Sequence, residues 1–304
     1  MAGYFYITMG NRLYQKQNNS RILKCLVAQR RLYSAAKRWS YAPKITNLIL
    51  LVLAFSNLCE DSVWGWVLAG IALVSWLIST VGDEIVKSFR VKAAKTQQYI
   101  DREIYIEAFS DVDMSAWNSI PLKSELDKEI ADIDDADIEK EKVRNWYSDY
   151  SAFSPQEAVF CCQRENLRWD RKLRIIAIVV TLALFIILCA SVMCKVWELK
   201  VKDVLPVLIP AAELASALLT ALFGLFLDCV RSAQLSAVSA IIELGLERNE
   251  NVLSNLIDFQ NLIYNNRCSV VFIPDILYKC FRKIFQKKED AIARAHKELT
   301  SEQL

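Results

Sequence analysis

Histidine, glycine and proline are scarce in this chain, with one His, seven Gly and six Pro among 304 residues. The single histidine, His296, sits in a polar tail, so histidine-based triads and histidine-rich metal sites are excluded by count. No glycine-rich phosphate loop ends in Lys-Ser or Lys-Thr, and no dinucleotide fingerprint occurs. The nine cysteines follow no zinc or disulfide spacing, which suits a reduced cytoplasmic or membrane setting. Cys161-Cys162 reads as two small apolar residues on a helix, with a redox pair as the alternative. The first forty residues lack the apolar core and cleavage site of a secretory signal. The acidic run from Glu129 to Glu141 has neither the turn glycine nor the ligand spacing of a calcium loop and reads as a solvated helical face. Nothing points to an enzyme, a metal site or a cofactor.

What the chain has is apolar surface: 54% of residues are hydrophobic and the mean hydropathy is positive. With so little turn chemistry, the expected fold class is an all-α membrane protein with four transmembrane helices in two hairpins and a helical cytoplasmic domain. About 20 apolar residues are needed to cross a hydrocarbon layer of about 30 Å. Ile175 to Cys194 meets that length without a charge, bracketed by Arg171, Lys172, Arg174 and Lys195. Val63 to Val81 is also uncharged, and Val204 to about Leu227 forms another candidate. Ile45 to Cys59 is shorter and carries Asn47 and Asn57. Only Glu60, Asp61 and Ser62 separate it from the next run, the length of a tight hairpin turn.

Charge sets the orientation. Met1 to Lys44 contains nine Lys or Arg and no acid, and Lys87, Arg90, Lys92 and Lys95 follow the second run. The positive-inside rule then places both termini and the long middle segment in the cytoplasm. The expected organisation is a basic amphipathic region over 1–43, a hairpin over 44–82, a helical cytoplasmic domain over 83–172, a second hairpin over 173–230 and a helical region over 231–304. Within it, SPQEA at Ser154 to Ala158 predicts a helix start that runs on into the third span. Pro121 to Tyr147 has helical spacing. The basic helix Arg21 to Trp39 suits attraction to anionic membrane lipid, and an anionic ligand needs the same charge.

The fourth run poses the functional question. Glu213, Ser216, Thr220, Gly224 and Asp228 recur at spacings of three and four, so they share one helical face. A charged carboxylate facing lipid costs several kcal/mol. Glu213 therefore lines a path for ions or water between several copies, or bonds to another helix that the small residues admit closely. Pro206 and Pro210 in the first turns could permit a bend.

Several strings carry a likeness: VAQRRLYSAAKR from Val27, CQRENLRWDRKLR from Cys162, Leu205-Pro206, and FQNLIYNNRCSVVFIPDILYKCFRK from Phe259 to Lys283. From about Asn18 to Lys283 the chain resembles the bacterial SMODS-associated four-transmembrane pore-forming effectors; the extension through Asn11 does not match. The resemblance implies a homo-oligomeric membrane effector of an anti-phage system in the bacterial inner membrane. It would be triggered by a cyclic nucleotide from a neighbouring nucleotidyltransferase and would arrest or kill the infected cell. The matching positions are Gln29, Arg30, Tyr33 and Lys37; Gln163, Arg164, Asn166, Trp169 and Asp170; and Tyr264, Arg267, Pro274, Asp275, Tyr278 and Arg282. Arg30, Lys37, Arg164, Arg168 and Arg282 are the candidates to meet a phosphate or to gate. A non-conducting scaffold that recruits a soluble partner is the alternative, a transporter has little support, and no nucleic acid partner is expected.

Overall fold

The computed structural model describes residues 13–55, 62–109, 116–248 and 250–269, and in the tail 271–277, 279–281, 284, 287, 288, 290, 291, 294 and 295. The hairpin turn at Glu60-Asp61, Asn57, Cys59, Tyr278, Arg282 and His296 lie outside the described residues. The principal helices among the described residues are α1 (Ser20–Phe55), α2 (Ser62–Tyr105), α3 (Lys123–Ile130), α4 (Asp135–Glu141), α5 (Pro155–Glu198), α6 (Val201–Glu247) and α7 (Leu253–Ser269). No strand occurs among the described residues. Three stretches, in α2, α5 and α6, are long and apolar enough to cross a membrane. Of the expected first span, α1 covers Ile45 to Phe55, about 16 Å at 1.5 Å per residue.

The expected start of α5 is present in full. Ser154 Oγ accepts from the Glu157 amide at 3.4 Å, Glu157 Oε2 accepts from the Ser154 amide at 3.0 Å, and Pro155 opens the first turn. The helix then runs 44 residues without a break into the apolar run. α6 likewise passes through Pro206 and Pro210, its sixth and tenth residues, and continues to Glu247; each proline removes one amide donor from the i→i−4 ladder, a loss the helix absorbs without ending. Helix continues well past the expected hairpin boundary at 230, and breaks only beyond Glu247.

The stretch from Pro121 to Tyr147, whose spacing is helical, forms two short helices. Asp134 caps α4, accepting from the Asp137 amide at 2.9 Å, and Lys142 ends it in the left-handed region at φ 52°. These local bonds outcompete a continuous ladder. Most acids of the run are solvated as expected, Asp132, Asp134, Asp135 and Glu139 being exposed, but several acids here also have protein counterions. Asp127, Asp132, Asp137 and Glu141 meet Arg21, Arg31 and Arg30 of α1. Much of the charge read as lipid-directed therefore holds α3 and α4 onto α1.

Two cores result. The larger lies outside the apolar runs and unites Leu26, Ile100, Leu126, Val159, Leu256 and Phe259 from five helices. The smaller joins Leu51 and Ala54 of α1 to Val207, Ala211 and Leu214 of α6. Around it, side chains such as Ile186 and Ile187 point outward, 58% and 61% exposed. Each would cost roughly 1 to 2 kcal/mol facing water, so this surface is one that lipid covers.

Candidate functional site

Several residues matched by the family-like strings converge on an acid that the sequence reading passed over. Asp101 of α2 is completely buried. Its Oδ1 accepts from Gln97 Nε2 at 3.1 Å and Tyr147 OH at 2.7 Å; its Oδ2 accepts from Gln260 Nε2 at 2.8 Å and Arg267 Nη1 at 2.7 Å. Four donors fill the four lone-pair sites of a carboxylate. Gln163 extends the network by donating to Gln260 Oε1 at 3.0 Å, and Asn166 donates to the Tyr147 hydroxyl at 3.0 Å. Gln17 holds Tyr147 in place, donating to its carbonyl and accepting from its amide at 2.7 Å.

The electrostatics are consistent with a fixed charge pair. Burial and the Asp101 charge push the Tyr147 phenol well above its ordinary value, so it remains a neutral donor. Burial opposes the Arg267 charge, but Asp101 outweighs it and the guanidinium's pKa is raised. The signal was available: Asp101 follows Ala94 and Gln97 and precedes Ile104 at helical spacing, an acid set into an otherwise buried face. Cys161 and Cys162 are buried in the same core. Burial raises Cys161 to about 12 and pushes Cys162 well above its ordinary value, which disfavours the thiolate that redox chemistry needs.

A second polar cluster lies where α5 and α6 enter their apolar runs. Arg174, 2% exposed, forks onto Asp170 through Nε and Nη2 at 2.7 and 2.8 Å and turns Nη1 to fully buried Asp228. Asp228 also accepts from Arg231 at 3.0 Å and from the Val271 backbone amide at 2.9 Å. That last bond anchors the segment Val271 to Asp275, which acts as a latch across three helices. Phe272 meets the Tyr33 ring edge to face at 6.4 Å, lies under the Arg90 guanidinium at 5.7 Å, and accepts from Tyr41 OH through its carbonyl. Asp275 pairs with Lys37. Val271 seats against Gly224, where a Cβ would overlap its side chain.

The expected polar stripe is thus divided. Gly224 and Asp228 turn inward to the latch, Ser216 and Thr220 are exposed, and Glu213 is half-buried facing α1. Lys44 and Asn47 of α1 are the groups that act on Glu213. Lys44 also donates to Ser40 O at 2.7 Å and feels Asp83. The carboxylate thus faces a cation within the apolar layer, fifteen residues along α6 from Asp228 and so about 22 Å away.

The phosphate candidates do not gather. Arg30 stacks over Trp146 at 5.3 Å and lies 3.6 Å from Glu141. Lys37 is taken up by the latch. Arg164 pairs with Glu243 of α6 and lies over the Phe160 ring at 5.0 Å, with Arg168 one turn along α5. Arg282 is outside the described residues. Of the two best-formed cavities among the described residues, one of about 10 Å³ beside Tyr147 and Cys162 has room for one water. The other, about 210 Å³, is an apolar groove between Trp39, Pro43, Ile71 and Ile78. The first is too small for a nucleotide, and the second offers a phosphate no charged side chain.

No curated protein and no solved structure matches the chain. The family described as the SMODS-associating 4TM effector domain matches residues 11–299, beginning where the unmatched extension ends and reaching beyond Lys283. With apolar helices of spanning length joined to a helical body, and a match over nearly its whole length, the chain belongs to the SMODS-associating 4TM effector domain family.

Proposed function

We propose that this multi-pass membrane effector forms or opens a pore in the bacterial inner membrane when a cyclic nucleotide signals phage infection, stopping growth of the infected cell. In this reading the first run completes a fourth span, both termini are cytoplasmic, several copies assemble, and no catalytic step is involved. Ser216 and Thr220 line the path, with Glu213 beside it.

One observation carries the reading. Arg267, held by Asp101, and Val271, held by Asp228, are four residues apart in sequence. A shift of α7 by one turn would therefore pull the latch from Gly224 and Asp228 at the foot of the α6 span. The body is also joined to the apolar runs through unbroken helices, α2, α5 and α6, so a cytoplasmic event has a stiff route inward.

The test is membrane potential and dye entry in cells expressing the chain with and without the neighbouring nucleotidyltransferase. Depolarisation that requires the enzyme is expected. Growth arrest with potential intact would overturn the pore and leave the scaffold reading, in which a soluble partner is recruited.

How the signal arrives is a separate point. Arg30, Lys37, Arg164, Arg168 and Arg282 remain the proposed phosphate contacts, tested by binding of labelled cyclic di- and trinucleotides to purified protein. The engagement of Arg30, Lys37 and Arg164 with protein groups favours a relay by a partner protein if no binding is found.

A further inference from the structure

The outward face of α6 carries a pattern that the latch does not use and that shares only Ser216 with the polar stripe. Phe226, Val230, Ala233, Ala237, Ala240 and Leu244 follow at spacings of four and three, and every one of them is exposed. Phe226, Val230 and Leu244 are 61%, 43% and 51% exposed. The same register runs back through Phe223 and Ser216 into the apolar run, also on exposed positions. A strict alternation of three and four is a period of 3.5 residues, the repeat of a left-handed helix pair.

The face does not stop where the membrane does. Asp228 and Arg174 mark the polar boundary, and Leu244 lies sixteen residues beyond Asp228, about 24 Å further along the helix. Over this stretch the seam carries no charge until Glu247. α2 behaves differently after its apolar run: its exposed positions are Asp83, Glu84, Lys87, Ser88 and Lys92. α5 buries its length outside the apolar run in the larger core through Val159, Phe160 and Leu167. Among the described residues, α6 alone among the three long apolar helices carries an exposed apolar stripe out of the lipid layer.

We infer that this seam is the contact between α6 of one copy and α6 of a second copy of the same chain. The occupant must offer an apolar helix at membrane depth and, in the same register, for about 24 Å into water; a second copy meets both requirements. Two copies inserted in the same sense present their α6 helices parallel, so each seam residue meets its own counterpart, as in a parallel coiled coil. Alanine at 233, 237 and 240 permits an axis separation near the lower end of the roughly 8 to 10 Å range. From Ala212 to Leu244 the strip is about 48 Å long and about 10 Å wide, roughly 500 Å² per partner and about 1,000 Å² in all. That reaches the lower limit of a specific interface. The inference rests on the proposed assembly for its consequence in the membrane, and on the seam alone for the contact.

The experiment uses the full chain in membranes, with exposed Cys194 and Cys280 replaced by Ser. In a parallel pair, counterparts at position 237 approach to about 6 Å between Cα atoms, within disulfide range. Ala237→Cys should give a disulfide-linked dimer on oxidation, while Lys92→Cys, exposed on α2, should stay monomeric. Ala237→Glu, which fits the monomer because the site is open, should lower the assembled fraction at least tenfold. Equal cross-linking at 92 and 237, or full assembly of Ala237→Glu, overturns the seam. Wild-type depolarisation by Ala237→Glu without cross-linking at 237 also overturns the seam and leaves the pore reading intact. Cross-linking at 237 in a protein that never depolarises supports the seam and overturns the pore.

Discussion

Replacing Arg267 by Met tests whether the buried hub holds the body together. The substitution keeps the length of the side chain and removes the one cation on Asp101, leaving a fully buried carboxylate with three neutral donors. Breaking a buried pair from one side costs about 3 to 5 kcal/mol, because the remaining charge has no counterpart. At about 2 to 4 °C per kcal/mol for a chain of this order of size, the melting midpoint in detergent should fall by roughly 6 to 20 °C. Asp101→Asn should fall comparably, since it strands Arg267 and replaces an acceptor by an amide that faces other donors. The double variant removes both charges and should recover at least about 1.5 kcal/mol relative to additivity. A shift under about 2 °C for Arg267→Met, or strict additivity in the cycle, would refute the claim that the pair is energetically coupled.

Gly224→Ala places a methyl group against Val271; over-packing costs about 1 to 3 kcal/mol, and the expected result is depolarisation without the nucleotidyltransferase, read as membrane potential in induced cells. Glu213→Gln removes the carboxylate charge facing Lys44, so ion selectivity should change in reconstituted vesicles, and unchanged flux with intact assembly removes Glu213 from the conduction path. Hydrogen bonding from Arg31 depresses the Asp137 carboxyl below its ordinary 3.8. Its contribution to the α1 clamp is therefore complete above that value and lost only as pH falls through the depressed folded value. Amide exchange over residues 135–141, corrected for intrinsic rate, should be flat from about pH 8 to 5; a loss near pH 6 would contradict the assignment.

Features carried by contiguous residues were legible in the sequence. The Ser154 cap and the uncharged run within α5 both depend on neighbours within one turn, where spacing and bonding coincide. The break between α3 and α4 was not legible because the apolar spacing suits one helix or two equally well, and the bonds that make it, from the Ile133 amide to Ile130 O and from the Asp137 amide to the Asp134 side chain, are local choices that spacing does not fix.

The site was harder to read, since spacing fixes which residues share a face but not what that face meets. Glu213, Ser216, Thr220, Gly224 and Asp228 do follow one another at helical spacing along α6, yet α6 meets different elements along its length. The inner end of that row reaches Arg174 and the Val271 amide, the middle stays open, and Glu213 meets α1. Positive charge misled in the same way. Arg21, Arg30 and Arg31 satisfy the rule that basic residues collect on the cytoplasmic side, and that rule holds whether their counterions are lipid phosphates or Asp127, Asp132 and Asp137. Only the fold supplies the counterion. The same ambiguity bears on the mechanism: an arginine already paired in the resting molecule binds an incoming phosphate only by exchange with a carboxylate. A directly sensed nucleotide would therefore have to release an internal clamp as it bound, and the release itself would be the signal.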